Sequence, residues 1–403
     1  MKSALLAAAA LSSGSALAAS NYSLVKEYSG QSFFDGWVFY DYYDNTTSGD
    51  VEYVSQTNAT QSKLAYVNDN GAAIIKVDNT TFVPWNDKRD SVRITTSDFF
   101  DSGSVFIFDA SHMPYGCSIW PSFWTKGENW PAGGEIDIME GINGMTENQM
   151  ALHTNEGCSS TSGASYTGTI GATNCNATSG CQFSETNQDS YGPGFAASGG
   201  GVFATLFDDT QIAIWFWPRS SVPASVSSAT SSVDISEWGT PSANYTSSAC
   251  DIGTSFAPQQ LVLDITLCGD WAGVASIYTE TGCAISGGGA GNASSCYLQN
   301  VINSGNTTAL ATAYFEINYI KAFNRNGTVL GAGGATSSVD ASSVFASATS
   351  AASKGASGTG SASGTSGTGG TSAGVAVGAL AGGAAKAWAA VAGVGALFAW
   401  TLL

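Results

Sequence analysis

Positive charge is what this 403-residue chain has least of: 13 Lys and Arg stand against 31 Asp and Glu, for a net charge of −18. So acidic a chain repels nucleic acid and other polyanions, and a neutral polymer such as a polysaccharide suits it better as a partner. Histidine is nearly absent, with two residues, and no two cysteines form a Cys-x-x-Cys pair. A zinc site therefore lacks ligands, and no metal or cofactor is expected, although a structural calcium ion is not readable either way. No helical pattern runs longer than a turn or two, and no internal repeat recurs. Solenoids and propellers are disfavoured.

What is present begins with two distinctive ends. "MKSALLAAAALSSGSALAAS" has a basic Lys2, an apolar stretch and an Ala16-Leu17-Ala18 site, the layout of a secretory signal over residues 1–19, cut after Ala18 or Ala19. From Gly331 the composition turns almost wholly to Gly, Ser, Ala and Thr, and residues 331–372 read as a flexible, O-glycosylated stalk. Residues 373–403 are a hydrophobic tail. Small residues, a spacer and such a tail form the signal exchanged for a GPI lipid, with attachment expected between Gly367 and Gly374. A single transmembrane helix is the rival reading, opposed by the lack of basic residues after the tail. Either way the chain is expected outside the cell, tethered at the cell surface as a monomer.

Eight cysteines lie between Cys117 and Cys296. In a secreted chain an even number implies up to four disulfides, with a pairing that spacing does not choose. N-x-S/T acceptors at Asn21, Asn45, Asn58, Asn79, Asn176, Asn244, Asn292, Asn306 and Asn326 predict a glycosylated surface.

Between about residues 20 and 330 the chain reads as one all-β domain. "KLAYVNDNGAAIIKV" is strand, Asn-Asp-Asn-Gly turn, strand. "VFATLFDDTQIAIWFWPR" repeats the design, with Asp208-Asp209 at the turn and Ile212, Ile214 and Phe216 alternating against Ala213, Trp215 and Trp217. Further strands are predicted at Ser91–Thr95, Ser104–Asp109, Gln149–Thr154, Gln260–Leu267 and Ala313–Phe323. Such patterning implies a two-sheet sandwich.

Charge is scarce throughout, yet "GGEIDIMEGING" sets Glu135, Asp137 and Glu140 among Ile136, Ile138 and Met139. On a strand Glu135 and Asp137 share a face, with Ile136 and Ile138 opposite. Glu140 has the wrong parity, and a β-bulge near Met139 would return it to the carboxylate face. The two glutamates would then sit about 13 Å apart at their Cα atoms. Inward-leaning side chains bring the carboxyls to about 5 Å, the spacing of a retaining glycosidase. Like charges so close also keep one group protonated, as a general acid requires. An exposed acidic edge or a calcium site made of the same oxygens is the competing reading.

Trp120, Trp124 and Trp130 lie just ahead of the acids in "CSIWPSFWTKGENWPAGG", and Trp271 lies in "LCGDWAG". Indoles stack on the C–H faces of sugars, so tryptophan beside acids suits a glycan groove, while burial in the core is the alternative for each one. His153, in "MALHT", is either a satisfied core histidine or a group that orients a carboxylate.

These segments together, "GGEIDIMEG", "WPSFWTKGENWP", "ALHT" and "CGDWAG", resemble glycoside hydrolase family 16, and most of all its fungal laminarinase-like endo-1,3(4)-β-glucanases. The resemblance covers roughly Tyr22 to Asn324. It implies a concanavalin A-like β-jelly-roll of two curved antiparallel sheets with a concave cleft for β-glucan. On this chain it makes Glu135 the nucleophile, Glu140 the acid/base, Asp137 a helper and His153 a supporting residue. Trp120, Trp130 and Trp271 fall at places similar to the family's sugar-stacking tryptophans. Three functions compete: an endo-acting hydrolase of β-1,3 or mixed β-1,3/1,4-glucan, a wall-remodelling transglycosylase, and a non-catalytic glycan-binding wall protein. The bulged motif favours hydrolysis, since the wall-remodelling members resemble a shorter E-x-D-x-E form, and the intact acids count against mere binding.

Overall fold

In the computed structural model, alternation of apolar and polar residues resolves into two large antiparallel sheets. The structure describes residues 21–285, 294–302, 308–331 and 336–338. The expected signal segment and hydrophobic tail, and most of the stalk, lie outside the described residues. The first sheet has nine strands. Its central path runs Ser232–Asp234, Asn21–Ser29, Tyr314–Asn324, Ser104–His112, Gly201–Asp208, Gln211–Pro218 and Ala243–Thr246, with Ala73–Lys76 and Ala65–Val67 branching from Tyr314–Asn324. The second has eight, in the order Thr169–Ile170, Cys181–Ser184, Gln149–His153, Glu135–Glu140, Ile119–Lys126, Gln260–Leu267, Arg93–Thr96 and Trp37–Phe39. The Glu135–Glu140 strand is thus interior to its sheet, paired on both sides. No helix among the described residues exceeds six residues.

The two predicted hairpins form, and in the second the register Asp208↔Gln211 makes Asp209 and Thr210 the turn, one residue beyond the expected pair. Alternation along Gln211–Pro218 has a consequence on both faces. Ile212, Ile214 and Phe216 enter the core between the sheets, while Ala213 and Trp215 enter a second apolar cluster with Val226, Val233 and Trp238 on the outer side. The nine-stranded sheet is therefore covered on both faces, which leaves one face of the eight-stranded sheet to carry chemistry. Phe108 and Phe123 join the layers, stacked at 4.5 Å between ring centroids and both fully buried. Truncating either to alanine should cost about 3–5 kcal/mol.

All eight cysteines pair, as Cys117–Cys283, Cys158–Cys250, Cys175–Cys181 and Cys268–Cys296. Cys117–Cys283 ties the segment entering the Ile119–Lys126 strand to the loop beyond Trp271. The strand Thr328–Leu330 pairs with Thr336–Ser338, so regular backbone pairing continues past residue 330.

Candidate active site

The bulge lies where the spacing of the acids demanded it. On one side Phe123 pairs with Met139 but Trp124 with Asp137; on the other, Asp137 pairs with Ala151 and Glu140 with Gln149. Ile138 and Met139 consequently both turn into the core, fully buried, and Glu140 returns to the face of Glu135 and Asp137. A bulge leaves ladder groups unpaired. Asn148 satisfies them: its Oδ1 accepts from the Glu140 backbone N–H at 2.9 Å and its Nδ2 donates to the Ile138 carbonyl at 2.9 Å. Glycines bracket the strand for steric reasons. Gly134 has φ of +73°, and a Cβ there would strike the Phe256 ring, while a Cβ on Gly141 would strike Tyr191.

All four singled-out tryptophans reach this face or its neighbours, and three of them hydrogen-bond to acids. Trp120 Nε1 donates to Glu140 Oε1 at 2.8 Å, and Trp130 Nε1 donates to Glu135 Oε2. Trp271 meets Trp120 edge to face, with centroids 5.2 Å apart. Trp130 keeps 60% of its surface exposed, so its ring is open to a ligand. Trp124 Nε1 donates to Asp264 Oδ1 at 2.8 Å. His153 pairs with Glu135 across the strands and holds Nε2 3.3 Å from Asp137 Oδ2.

The surroundings divide the proton affinities. Burial pushes the Glu140 pKa up to about 8, opposed by the Trp120 hydrogen bond and reinforced by the charges of Glu135 and Asp264. Burial and then the Asp137 charge raise Glu135, while His153 and Trp130 favour its anion. Burial also raises Asp137, against the neighbouring His153, whose Nε2 lies 3.3 Å from its Oδ2. Burial alone would lower His153, but the close approach of Asp137 and the charges of Asp137 and Glu135 lift it to about 9. Glu135 and Asp137 thus compete for one proton beside an imidazolium, and Glu140 keeps its own through neutral pH. Such a set can protonate a leaving group and present an anion in one place.

Glu135, Asp137 and His153 offer ligand atoms within 4.8 Å of one another, and they are the residues that could hold a cation among those described. The same atoms already serve each other and Trp130. A separate hollow of about 420 Å³, lined in part by Phe99, Glu128, Asn129, Ala132, Pro258 and Leu330, adjoins the loop that carries Trp130. Glu128 is its one acidic group, and it lacks the paired carboxyls that chemistry of this kind requires.

Sequence reasoning missed Asn148 and Asp264. Asn148 reads as a loop residue in "MTENQM". Asp264 is a lone acid in "LVLDITL", and its position among apolar neighbours was a signal of the same kind as that in the central motif.

A two-sheet jelly-roll that presents hydrogen-bonded carboxyls and tryptophans on one uncovered face defines a glycan-processing class of protein. The chain belongs to the XgeA-like catalytic domain family of glycoside hydrolase family 16, whose model matches residues 37–323. It is 39% identical over 330 residues to a probable endo-1,3(4)-β-glucanase of Aspergillus fumigatus, covering 80% of this chain and 48% of that protein. It is 37% identical to endo-1,3(4)-β-glucanase xgeA of Emericella nidulans, over 80% of this chain and 51% of the relative. The chain therefore spans about half the length of these curated relatives. Among solved structures it is similar to Laminarinase 16A from Phanerochaete chrysosporium, with β-glucans in donor and acceptor sites, at 34% identity and a TM-score of 0.69. It is also similar to an elongating family 16 β-1,3-glucosyltransferase at 39% identity and a TM-score of 0.68. Each match covers 75% of this chain and all of the other.

Proposed function

We propose that this chain is an endo-acting retaining hydrolase of β-1,3- or mixed β-1,3/1,4-glucans, working outside the cell on a lipid-anchored stalk. The observation that carries the reading is the bulge, which brings Glu135 and Glu140 to one face with different hydrogen-bond partners. In the first step Glu135 attacks the anomeric carbon, and the glycosidic oxygen leaves with the proton of Glu140. The C–O bond to the leaving sugar breaks as the ester to Glu135 forms. The charge of His153 and the Trp130 N–H support Glu135 as the anion this step needs. Glu140, now a carboxylate, then takes a proton from water, whose oxygen displaces Glu135 and restores both groups. Trp130 and Trp271 offer ring faces to the sugars, and His153 holds Asp137 in place.

The test is to incubate the protein with a defined β-1,3-linked oligosaccharide and follow chain lengths by mass spectrometry. Shorter products alone support hydrolysis. Longer products support transglycosylation, the reading favoured by likeness to the elongating glucosyltransferase. Glu135→Gln should abolish turnover with thermal unfolding unchanged, because an amide cannot act as the nucleophile. Near-parental turnover in that variant would mean that the nucleophile is misassigned. Recovery of a mature C-terminal peptide with the hydrophobic tail intact would refute the lipid anchor.

A further inference from the structure

One buried carboxyl on the same face has no part in the reaction as described. Cross-strand pairing sets Arg93, Asp264, Ser122 and Glu140 in one row over four adjacent strands. Asp264 and Glu140 are two strands apart, roughly 10 Å at the backbone. The residue between them is only serine, and its buried hydroxyl has no protein partner, so no apolar side chain insulates one acid from the other.

Burial, and to a lesser degree the charge of Asp44, raise the pKa of Asp264, while Arg93, Trp124 and Tyr53 favour its anion. Oδ1 accepts from Trp124 Nε1 at 2.8 Å, a group that can only donate. Oδ2 accepts from the Tyr53 hydroxyl at 3.2 Å. The Arg93 guanidinium, 5.1 Å from the Trp124 ring and 4.8 Å from that of Tyr40, supplies a cation on the side away from Glu140.

We propose that Asp264 is a positioning residue for Glu140, a fixed anion two strands away that keeps the acid/base carboxyl protonated and so sets the upper pH limit of activity. This inference rests on Glu140 being the acid/base of the proposed reaction. The other groups facing Glu140 are Glu135 and Asp137 on its own strand, His153 on the next, Arg93 at the end of the row, and Tyr191 against Gly141. His153 spends its charge on Asp137. Tyr191 is buried, with its pKa raised by burial and then by Glu140 itself, and stays a neutral phenol. Asp264 is therefore the removable anion that touches neither Glu135 nor the Glu140 hydrogen bond. At roughly 10 Å and an effective dielectric of about 20, its charge is equivalent to about one pH unit on Glu140.

The experiment is the pH profile of kcat/KM on a linear β-1,3-oligosaccharide for the parent and Asp264→Asn, with thermal unfolding in parallel. The amide keeps an acceptor for Trp124 while removing the charge. The alkaline limb should move down by about one unit, with the acid limb unmoved. A folded variant whose limbs stay in place, whether or not turnover falls, overturns the proposal. If Asp264→Asn does not fold, Asp264→Ser, which also removes the charge, takes its place, and the same downward shift is expected. No shift in that variant overturns the proposal as well. If the parent cleaves no glucan, the proposed reaction itself fails. Carbon-13 titration of the Glu140 carboxyl in parent and variant then reads the same shift without turnover.

Discussion

Removing the indole nitrogen of Trp120 should move the alkaline limb of activity upward. Its N–H donates to Glu140 Oε1 at 2.8 Å, and a donor stabilises a carboxylate more than a carboxylic acid. Trp120→Phe deletes the donor and keeps an aromatic ring. Hydrogen bonds to charged groups contribute roughly 1.5–3 kcal/mol. Part of this survives in the acid, whose carbonyl oxygen also accepts, so the difference is about 1 kcal/mol, or somewhat under one pH unit. The pKa of Glu140, pushed up to about 8 by burial, should rise towards 9, and activity should persist to higher pH. The assay is kcat/KM against pH on a β-1,3-oligosaccharide, with thermal unfolding to establish the fold. Loss of the edge-to-face contact with Trp271 should raise KM at every pH without moving either limb. A downward shift, or none in a folded variant, would refute the claim that this hydrogen bond supports the anion. The sign is opposite to that expected for Asp264→Asn, so a general loosening of the site cannot produce both results.

The same acid should be a stability liability. Glu140 has a folded pKa of about 8 against an ordinary value of 4.5, so the folded protein holds a proton that the unfolded chain releases, and stability falls as pH rises between those values. Glu140→Gln should therefore raise the unfolding temperature at pH 8 by a few degrees, from about 1–2 kcal/mol after allowance for solvent at the half-buried carboxyl, and leave it unchanged near pH 4; differential scanning calorimetry at the two values decides. Replacing Cys117 and Cys283 by serine, which opens a closure of 166 residues, should cost about 5 kcal/mol on chain entropy, against about 2 kcal/mol for Cys175 and Cys181, 6 residues apart. Equal losses in denaturant titrations would show that the bridges act mainly through native contacts.

Period-two patterns exposed most of the sandwich, because each strand must sort its apolar residues to a buried face. Gln211–Pro218 is the clearest instance: both parities are apolar, and both faces prove to be covered. The central motif was legible for the opposite reason. Glu140 has the wrong parity for its company, and only a bulge reconciles it with Glu135. The partners of those acids were less legible. Trp120 and Trp130 precede the motif closely, but nothing in their spacing says which carboxyl each will meet, since that depends on the register between Ile119–Lys126 and Glu135–Glu140. The disulfides were countable but not pairable for the same reason.

Asn148 and Asp264 show where such reading stops. Each acts across strands on a group distant in the chain, and each is an ordinary residue for its own segment. A bulge that turns two successive side chains inward must find new partners for the backbone it disrupts, and a single amide with one acceptor and two donors can supply both kinds at once. Asn148 does so while its own N–H is held by Ser190 Oγ at 3.0 Å, so the orientation of Glu140 depends on a loop outside its sheet. Asp264 is bound to its place by Trp124 and Tyr53, from two further segments. The carboxyls are thus written locally, as a motif, whereas their proton affinities are set by residues that only the assembled sheet brings together.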